Sequence, residues 1–70
     1  MAVLYYYNYA EIDPDTNMCV GVMTCTYEIT DDSRFVAIPV YDDEYTFKFY
    51  INGAWYEDAE GTIPWTSSLL

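Results

Sequence analysis

The chain of 70 residues has no histidine and only two basic residues, Arg34 and Lys48, against twelve acidic ones. Histidine is the side chain that most often serves as general base or metal ligand near neutral pH, and no glycine-rich phosphate-binding loop is present either. A formal net charge of −10 repels phosphate backbones and anionic membrane surfaces. We therefore expect no enzymatic activity, no cofactor, no binding of nucleic acid and no membrane binding.

Cysteine is also scarce, with only Cys19 and Cys25, six residues apart in one predicted strand. At about 3.3 Å per residue their Cα atoms would lie roughly 20 Å apart, whereas a disulfide needs them within about 7 Å. The spacing therefore predicts two free thiols, as is typical of a reducing compartment. With no histidine to activate them and negative charge around them, neither is expected to act as a nucleophile.

Long hydrophobic runs are missing as well. No apolar stretch reaches the length of a membrane span, and no basic segment precedes an apolar one at the amino terminus. These two absences predict synthesis in the cytoplasm.

What the chain has in abundance is aromatic side chains, which make up 20% of its residues, nine of them tyrosine. With 53% hydrophobic residues it is too apolar for a disordered chain despite its charge. Aromatic and β-branched residues favour strands. At this length we expect a single small β domain over residues 1–70. Folding buries only about 60% of the surface of such a chain, so its core is small.

The strongest local signal is Asn52-Gly53 between two aromatic-rich runs, which predicts a β-hairpin with a type I′ turn. Both residues accept the positive φ that this turn requires. Counting outward from the turn places Tyr50 opposite Trp55. Two positions further out, Lys48 lies opposite Glu57 as a pair of opposite charges.

Alternation along the two strands divides the hairpin into two faces. The face predicted to belong to the core carries Phe47, Phe49, Ile51, Ala54 and Tyr56. The opposite face carries Tyr50 and Trp55.

Further strands are predicted at Val3–Ile12, Met18–Tyr27 and Arg34–Val40. The first has apolar residues on both faces and so reads as a strand covered on both sides. Gly21 indicates either a β-bulge or a place where an aromatic ring packs on bare backbone. Pro39 removes a hydrogen-bond donor, which predicts that the end of the third strand lies at a sheet edge or leaves the sheet. The predicted fold is a small antiparallel meander of four to five strands, with at most one short helical turn at residues 41–45 and a less ordered tail at 62–70.

One acidic motif suggests a metal site, because Asp13-x-Asp15-x-Asn17 has the opening spacing of an EF-hand loop. The match then fails, since Met18 stands where the loop needs glycine and Thr24 where it needs glutamate. We interpret these residues as a turn and expect no metal.

Three aromatic residues are the candidate partner-binding site: Tyr50, Trp55 and Trp65. Tyrosine and tryptophan combine a large rigid ring with a polar tip, which suits protein interfaces. Two alternatives remain open for the Tyr50 and Trp55 face. Either a partner covers it, or the chain's own tail packs on it through Ile63 and Trp65.

Three segments in order carry a resemblance: an opening Tyr-Tyr followed by Met18–Val22, then Phe35–Tyr45, then Lys48–Tyr56 with its Asn-Gly and tryptophan. Together they resemble short, functionally uncharacterised proteins encoded by phages and prophages of Gram-positive bacteria, beside tail and lysis genes. The likeness spans residues 5 to 57 in pieces, and residues 61–70 extend beyond it. It implies a non-enzymatic accessory or tail-associated protein that contacts another protein and is associated with the virion. It transfers no active-site residue.

Two other functions fit the composition. The charge of −10 would suit an acidic mimic of nucleic acid that inhibits a basic protein. Aromatic rings beside acids would suit a small carbohydrate-binding module. A sheet edge or the tyrosine-rich strand also offers a route to a homo-oligomer.

Overall fold

The computed structural model describes residues 6–70, and in this part of the chain it contains five strands in two antiparallel sheets. A single 3₁₀ turn at Asp43–Tyr45 is the helical element among these residues. The strands are β1 (Tyr7–Ile12), β2 (Cys19–Cys25), β3 (Phe35–Ile38), β4 (Phe49–Ile51) and β5 (Ala54–Tyr56). The prediction of a small, mainly β antiparallel fold with a carboxy-terminal hairpin is confirmed. The part of the first predicted strand at residues 3–5 lies outside the described residues.

The larger sheet has the order β2-β1-β3, so β1 is its central strand. Tyr9 on one face of β1 and Ala10 on the other are both buried, as the two-sided apolar pattern predicted. The order departs from the predicted meander, because β3 lies beside β1 and not beside β2. The reason is that the outer edge of β2 is already occupied: the Cys19 N–H donates to the Lys48 carbonyl at 2.7 Å.

The predicted irregularity in β2 is a β-bulge. Glu11 lies opposite Gly21 but Ile12 lies opposite Cys19, so Val20 is the extra residue. The alternative, a ring packed over bare backbone at Gly21, is not what is found, since a side chain there would meet nothing within 4 Å. The bulge leaves the Val20 side chain 47% exposed.

Backbone hydrogen bonds extend the smaller sheet on both sides. On one side the Tyr50 N–H donates to the Asn17 carbonyl at 2.9 Å, which joins β4 to the start of β2. On the other side the Trp65 N–H donates to the Trp55 carbonyl at 3.0 Å. The carboxy-terminal segment therefore lies along β5 as a further extended element, and Trp65 packs against the core while Ile63 stays exposed.

The core lies on one face of the larger sheet. Its buried members are Ala10, Ile12, Cys19, Ile38 and Tyr45, and Val22, Val36, Tyr50, Trp55 and Trp65 pack against them. Cys19 and Cys25 are both buried and free, as their spacing predicted. Burial raises the pKa of the Cys19 thiol, which keeps it protonated.

The assignment of the hairpin faces was wrong. Phe47, predicted to belong to the core, is 69% exposed, and Ala54 is exposed as well. The opposite face, with Tyr50 and Trp55, is the one that packs on the core. The physical reason is the buried Tyr45 ring, against which the larger aromatic surface packs, while the predicted core face is only half covered by the loop around Gly61.

β3 ends at Ile38, directly before Pro39, and forms an edge of its sheet as predicted. Within residues 6–70 no helix is long and apolar enough to cross a membrane.

Candidate functional site

The buried Tyr45 ring organises an aromatic cluster at the carboxy-terminal side of the molecule. Tyr45 ends the 3₁₀ turn and is 2% exposed. Its ring meets Trp55 edge to face at a centroid distance of 4.8 Å and Trp65 in the same manner, also at 4.8 Å. Such edge-to-face pairs contribute about 0.5–1.5 kcal/mol beyond the burial of their area. Both indoles are thereby fixed in orientation while each keeps part of its surface in solvent.

A cavity of about 380 Å³ opens between these rings and the carboxy-terminal segment. Its lining is mostly apolar and is formed by Pro39, Tyr45, Ala54, Trp55, Pro64, Trp65, Thr66, Ser67 and Leu70. We call this cavity the aromatic cleft. Its size and apolar wall suit a few side chains of a partner.

One buried hydrogen bond closes the end of the aromatic cleft. The Ser67 hydroxyl donates to the Asp42 carboxylate, and both side chains are buried. The same carboxylate accepts the Glu44 N–H at 2.9 Å and so caps the 3₁₀ turn that carries Tyr45. Burial, and secondarily the nearby Asp42 charge, raise the pKa of the Tyr45 hydroxyl. The turn and the tail are thus held by one carboxylate.

Lys48 lies at the outer side of the same cluster. Its Nζ is 5.2 Å from the centre of the Trp65 ring and 3.8 Å from the Glu57 carboxylate. The predicted cross-strand pair of Lys48 and Glu57 is therefore present as an ion pair. The lysine also faces the indole of Trp65, and a partly solvated cation–π contact of this kind orients the ring only weakly.

The structure brings all three predicted site residues into this cluster, in different positions. Trp55 and Trp65 line the aromatic cleft, whereas Tyr50 lies behind it with its ring 5.1 Å from that of Trp55. Of the two alternatives left open, the tail does pack on this face, through Trp65. Binding of a partner by the solvent-facing parts of the two indoles remains a prediction.

Sequence reasoning missed Tyr45 as the centre of the cluster. Its position after three acidic residues is typical of a surface turn. The one indication of burial is that Tyr45 is the last residue of the helical turn before β4. Pro39 and Leu70 were missed as well, because they join the cleft only when the chain reverses.

A second cavity, of about 490 Å³, lies on the other face of the larger sheet under the loop between β2 and β3. The loop is tied to the sheet by the Ile29 N–H, which donates to the Tyr9 hydroxyl at 2.8 Å. Acidic side chains line this cavity together with apolar ones: Met23, Tyr27, Glu28, Ile29, Thr30, Asp31, Asp32 and Phe35. Asp32 is engaged by Arg34 at 2.8 Å, and this contact holds the pKa of Asp32 below its usual value.

Several acidic residues have a local structural role. Four of the twelve accept backbone N–H groups in turns: Asp13, Asp32, Asp42 and Asp58. Within residues 6–70 no three His, Cys, Asp or Glu side chains are grouped so as to hold a metal ion.

Comparison with protein-family models, with curated proteins and with solved structures finds no match to this chain.

Proposed function

We propose that the chain is a non-enzymatic accessory protein of a phage or prophage that binds another protein through the aromatic cleft. The observation that carries this proposal is the pair of indoles, Trp55 and Trp65, held rigidly on Tyr45 with part of each ring exposed beside a mostly apolar cavity. Rigid, partly exposed aromatic rings are the side chains that dominate protein interfaces.

The partner class follows from the resemblance to short phage and prophage proteins. That resemblance supports a tail component as the partner, and it supports association with the virion. Neighbouring tail and lysis genes are the expected genomic context. A gene placed among housekeeping genes would contradict the phage assignment and would leave the cleft to be tested separately.

The test of the cleft is a binding measurement with purified tail proteins from the same genome. Ala54 is exposed and lines the aromatic cleft, so Ala54→Arg should fill the opening without disturbing the core. We expect at least tenfold weaker binding. The matched control is Ala37→Arg, at an exposed alanine of β3 that is not among the cleft residues. Equal affinity of the two variants would contradict the proposal.

An acidic mimic of nucleic acid is the second candidate. Seven acidic residues are exposed, at positions 15, 28, 31, 43, 44, 57 and 60, which favours attraction of a basic partner. Such binding would weaken steeply with salt and would tolerate Ala54→Arg. Binding that is insensitive to salt but lost in Ala54→Arg would exclude the mimic.

A carbohydrate ligand fits the cleft less well. Sugars need several hydrogen-bonding groups beside the aromatic ring, and the hydroxyls in the lining come from Tyr45, Thr66 and Ser67, of which Ser67 is already bonded to Asp42. A glycan array is expected to show no specific ligand.

A further inference from the structure

Five residues of the described part of the chain have positive φ. Four of them are Asn17, Asn52, Gly53 and Gly61, the two residue types that accept this conformation at least cost. The fifth is Phe47, at a φ of 76°. For a bulky side chain without a polar group this conformation is a genuine outlier and stores strain.

The geometry around Phe47 is that of a type II turn. Thr46 has φ −60° and ψ 130°, and the Lys48 N–H donates to the Tyr45 carbonyl at 3.0 Å. Phe47 thus occupies the third position of the turn, where glycine is the residue expected because φ must be positive. The Phe47 N–H also donates to the Cys19 carbonyl at 2.8 Å, which ties the turn to β2.

Nothing in the core requires a phenylalanine at this position. The side chain is 69% exposed, and it belongs neither to the core cluster nor to the lining of the aromatic cleft. A residue that costs backbone strain and leaves most of its ring in water reduces the stability of the fold. Strained residues of this kind are concentrated at functional sites of proteins.

The surroundings of Phe47 combine apolar and acidic groups with one lysine, which directly follows Phe47 and is paired with a glutamate. The backbone bond to Cys19 brings the turn beside the β-bulge, whose extra residue Val20 is also exposed. The preceding 3₁₀ turn exposes Asp43 and Glu44. In a chain with a net charge of −10, a partner at this surface is favoured when it is basic.

We propose that Phe47 is an anchor residue for a protein partner, inserted among apolar side chains that are flanked by lysine or arginine. The turn and its hydrogen bond to Cys19 fix the backbone that carries the exposed ring, so little backbone freedom remains to be lost on binding. This inference rests on the proposal that the chain binds a protein, but it does not depend on the aromatic cleft.

The first arm of the test measures stability by thermal unfolding. Phe47→Ala removes the ring and keeps the strain, whereas Phe47→Gly removes both. We expect the Tm of Phe47→Ala to stay near that of the natural chain and the Tm of Phe47→Gly to lie about 4 °C or more above it. A lower Tm for both variants would show that the ring supports the fold, and this would overturn the inference.

The second arm measures binding with a cell-displayed library of random peptides, selected on the natural chain. Enriched peptides should carry apolar residues flanked by Lys or Arg, and their affinity should fall at least tenfold for both Phe47→Ala and Phe47→Gly. Tyr27→Ala is the matched control, because Tyr27 is exposed to a similar degree elsewhere. Its affinity should be unchanged.

The two proposals fail separately in this experiment. Peptides that no longer bind Phe47→Ala but still bind Ala54→Arg support the role of Phe47 as an anchor, independently of whether the aromatic cleft binds a partner. Peptides lost only in Ala54→Arg support the cleft and overturn the anchor. An absence of enrichment, or enriched peptides that bind all variants equally, overturns the anchor as well.

Discussion

Two turns bound strand β4, and both place a residue at positive φ. The turn after β4 uses Asn52 and Gly53, at φ values of 50° and 84°. The turn before β4 uses Thr46 and Phe47, with Phe47 at 76°. The same conformational demand is thus met by suitable residues on one side of the strand and by an unsuitable one on the other.

The difference separates what a turn does for the fold from what it presents to solvent. Asn52 and Gly53 adopt their conformation with little strain, so their identity is explained by the hairpin alone. Phe47 is not explained by its turn, since glycine would serve better. The turn after β4 therefore explains its own residues, whereas the turn before β4 does not explain why its third position is a phenylalanine.

The largest expected difference in stability is between variants of two aromatic residues in the turn before β4. Tyr45→Ala should destabilise the protein by about 3–5 kcal/mol, because it removes a buried ring on which both indoles pack. Phe47→Ala, two residues later, should change stability very little, since that ring is in water. Chemical denaturation of both variants measures the contrast. Similar losses in the two would contradict the assignment of one ring to the core and the other to the surface.

The next effect concerns the turn after β4, at Asn52 and Gly53. Gly53→Ala should cost about 1–2 kcal/mol, because an alanine side chain clashes with the backbone at this positive φ. The control is Gly21→Ala, at a glycine whose φ is not positive and around which a side chain has open space. Urea unfolding should show a clear loss for the first variant and almost none for the second. A larger loss for Gly21→Ala than for Gly53→Ala would contradict the role of positive φ in the turn after β4.

A smaller effect, visible as a pH dependence, is expected in the loop that covers the other face of the hairpin. The Asp58 carboxylate accepts the N–H groups of Thr62 and Ile63, and the Thr62 hydroxyl with these amides holds the pKa of Asp58 below its usual value. The stabilisation is therefore present above about pH 4, the pKa of an unfolded aspartate, and is lost as the pH falls through the lower folded value.

Thermal unfolding between neutral and strongly acidic pH measures this contribution. Asp58→Asn should lower the Tm at pH 7 and give a shallower further decline in acid than the natural chain. Asp31→Asn, at an exposed acidic residue of the loop before β3, is the control and should follow the natural curve. Parallel curves for all three proteins would contradict the role of the Asp58 carboxylate.

The smallest effect on stability is expected for the ion pair between Lys48 and Glu57 in the hairpin. Glu57→Gln should cost no more than about 0.5 kcal/mol, because the Lys48 and Glu57 charges are 3.8 Å apart and partly solvated. The difference should shrink further at high salt. Glu60→Gln, at an exposed glutamate, is the control for the general change of charge. A loss well above 1 kcal/mol would mean that Lys48 also orients Trp65.

Local features of the fold could be predicted because they depend on neighbours in sequence. Asn52-Gly53 predicted the hairpin and its register, and the structure pairs Tyr50 with Trp55 as expected. The spacing of Cys19 and Cys25 predicted two free thiols. Turn chemistry and strand geometry act over a few residues, so their outcome is independent of the remaining chain.

The faces of the hairpin could not be predicted in the same way. Alternation shows which residues share a face, but both faces of this hairpin are apolar, so it does not show which of them meets the core. That depended on Tyr45, a residue outside the hairpin, and on the return of Trp65 along β5. The position of β3 beside β1 likewise depended on a distant segment, because Lys48 occupies the outer edge of β2.

Composition and local turn chemistry are sufficient to predict an acidic, aromatic-rich β chain with a tight hairpin and unbridged thiols. The sequence pattern also predicted the three aromatic residues of the candidate site. Their arrangement around Tyr45 and the exposure of Phe47 in a strained turn depend on tertiary contacts. Contacts between residues distant in the chain depend on close packing, in which the position of each ring is set by the shapes of its neighbours.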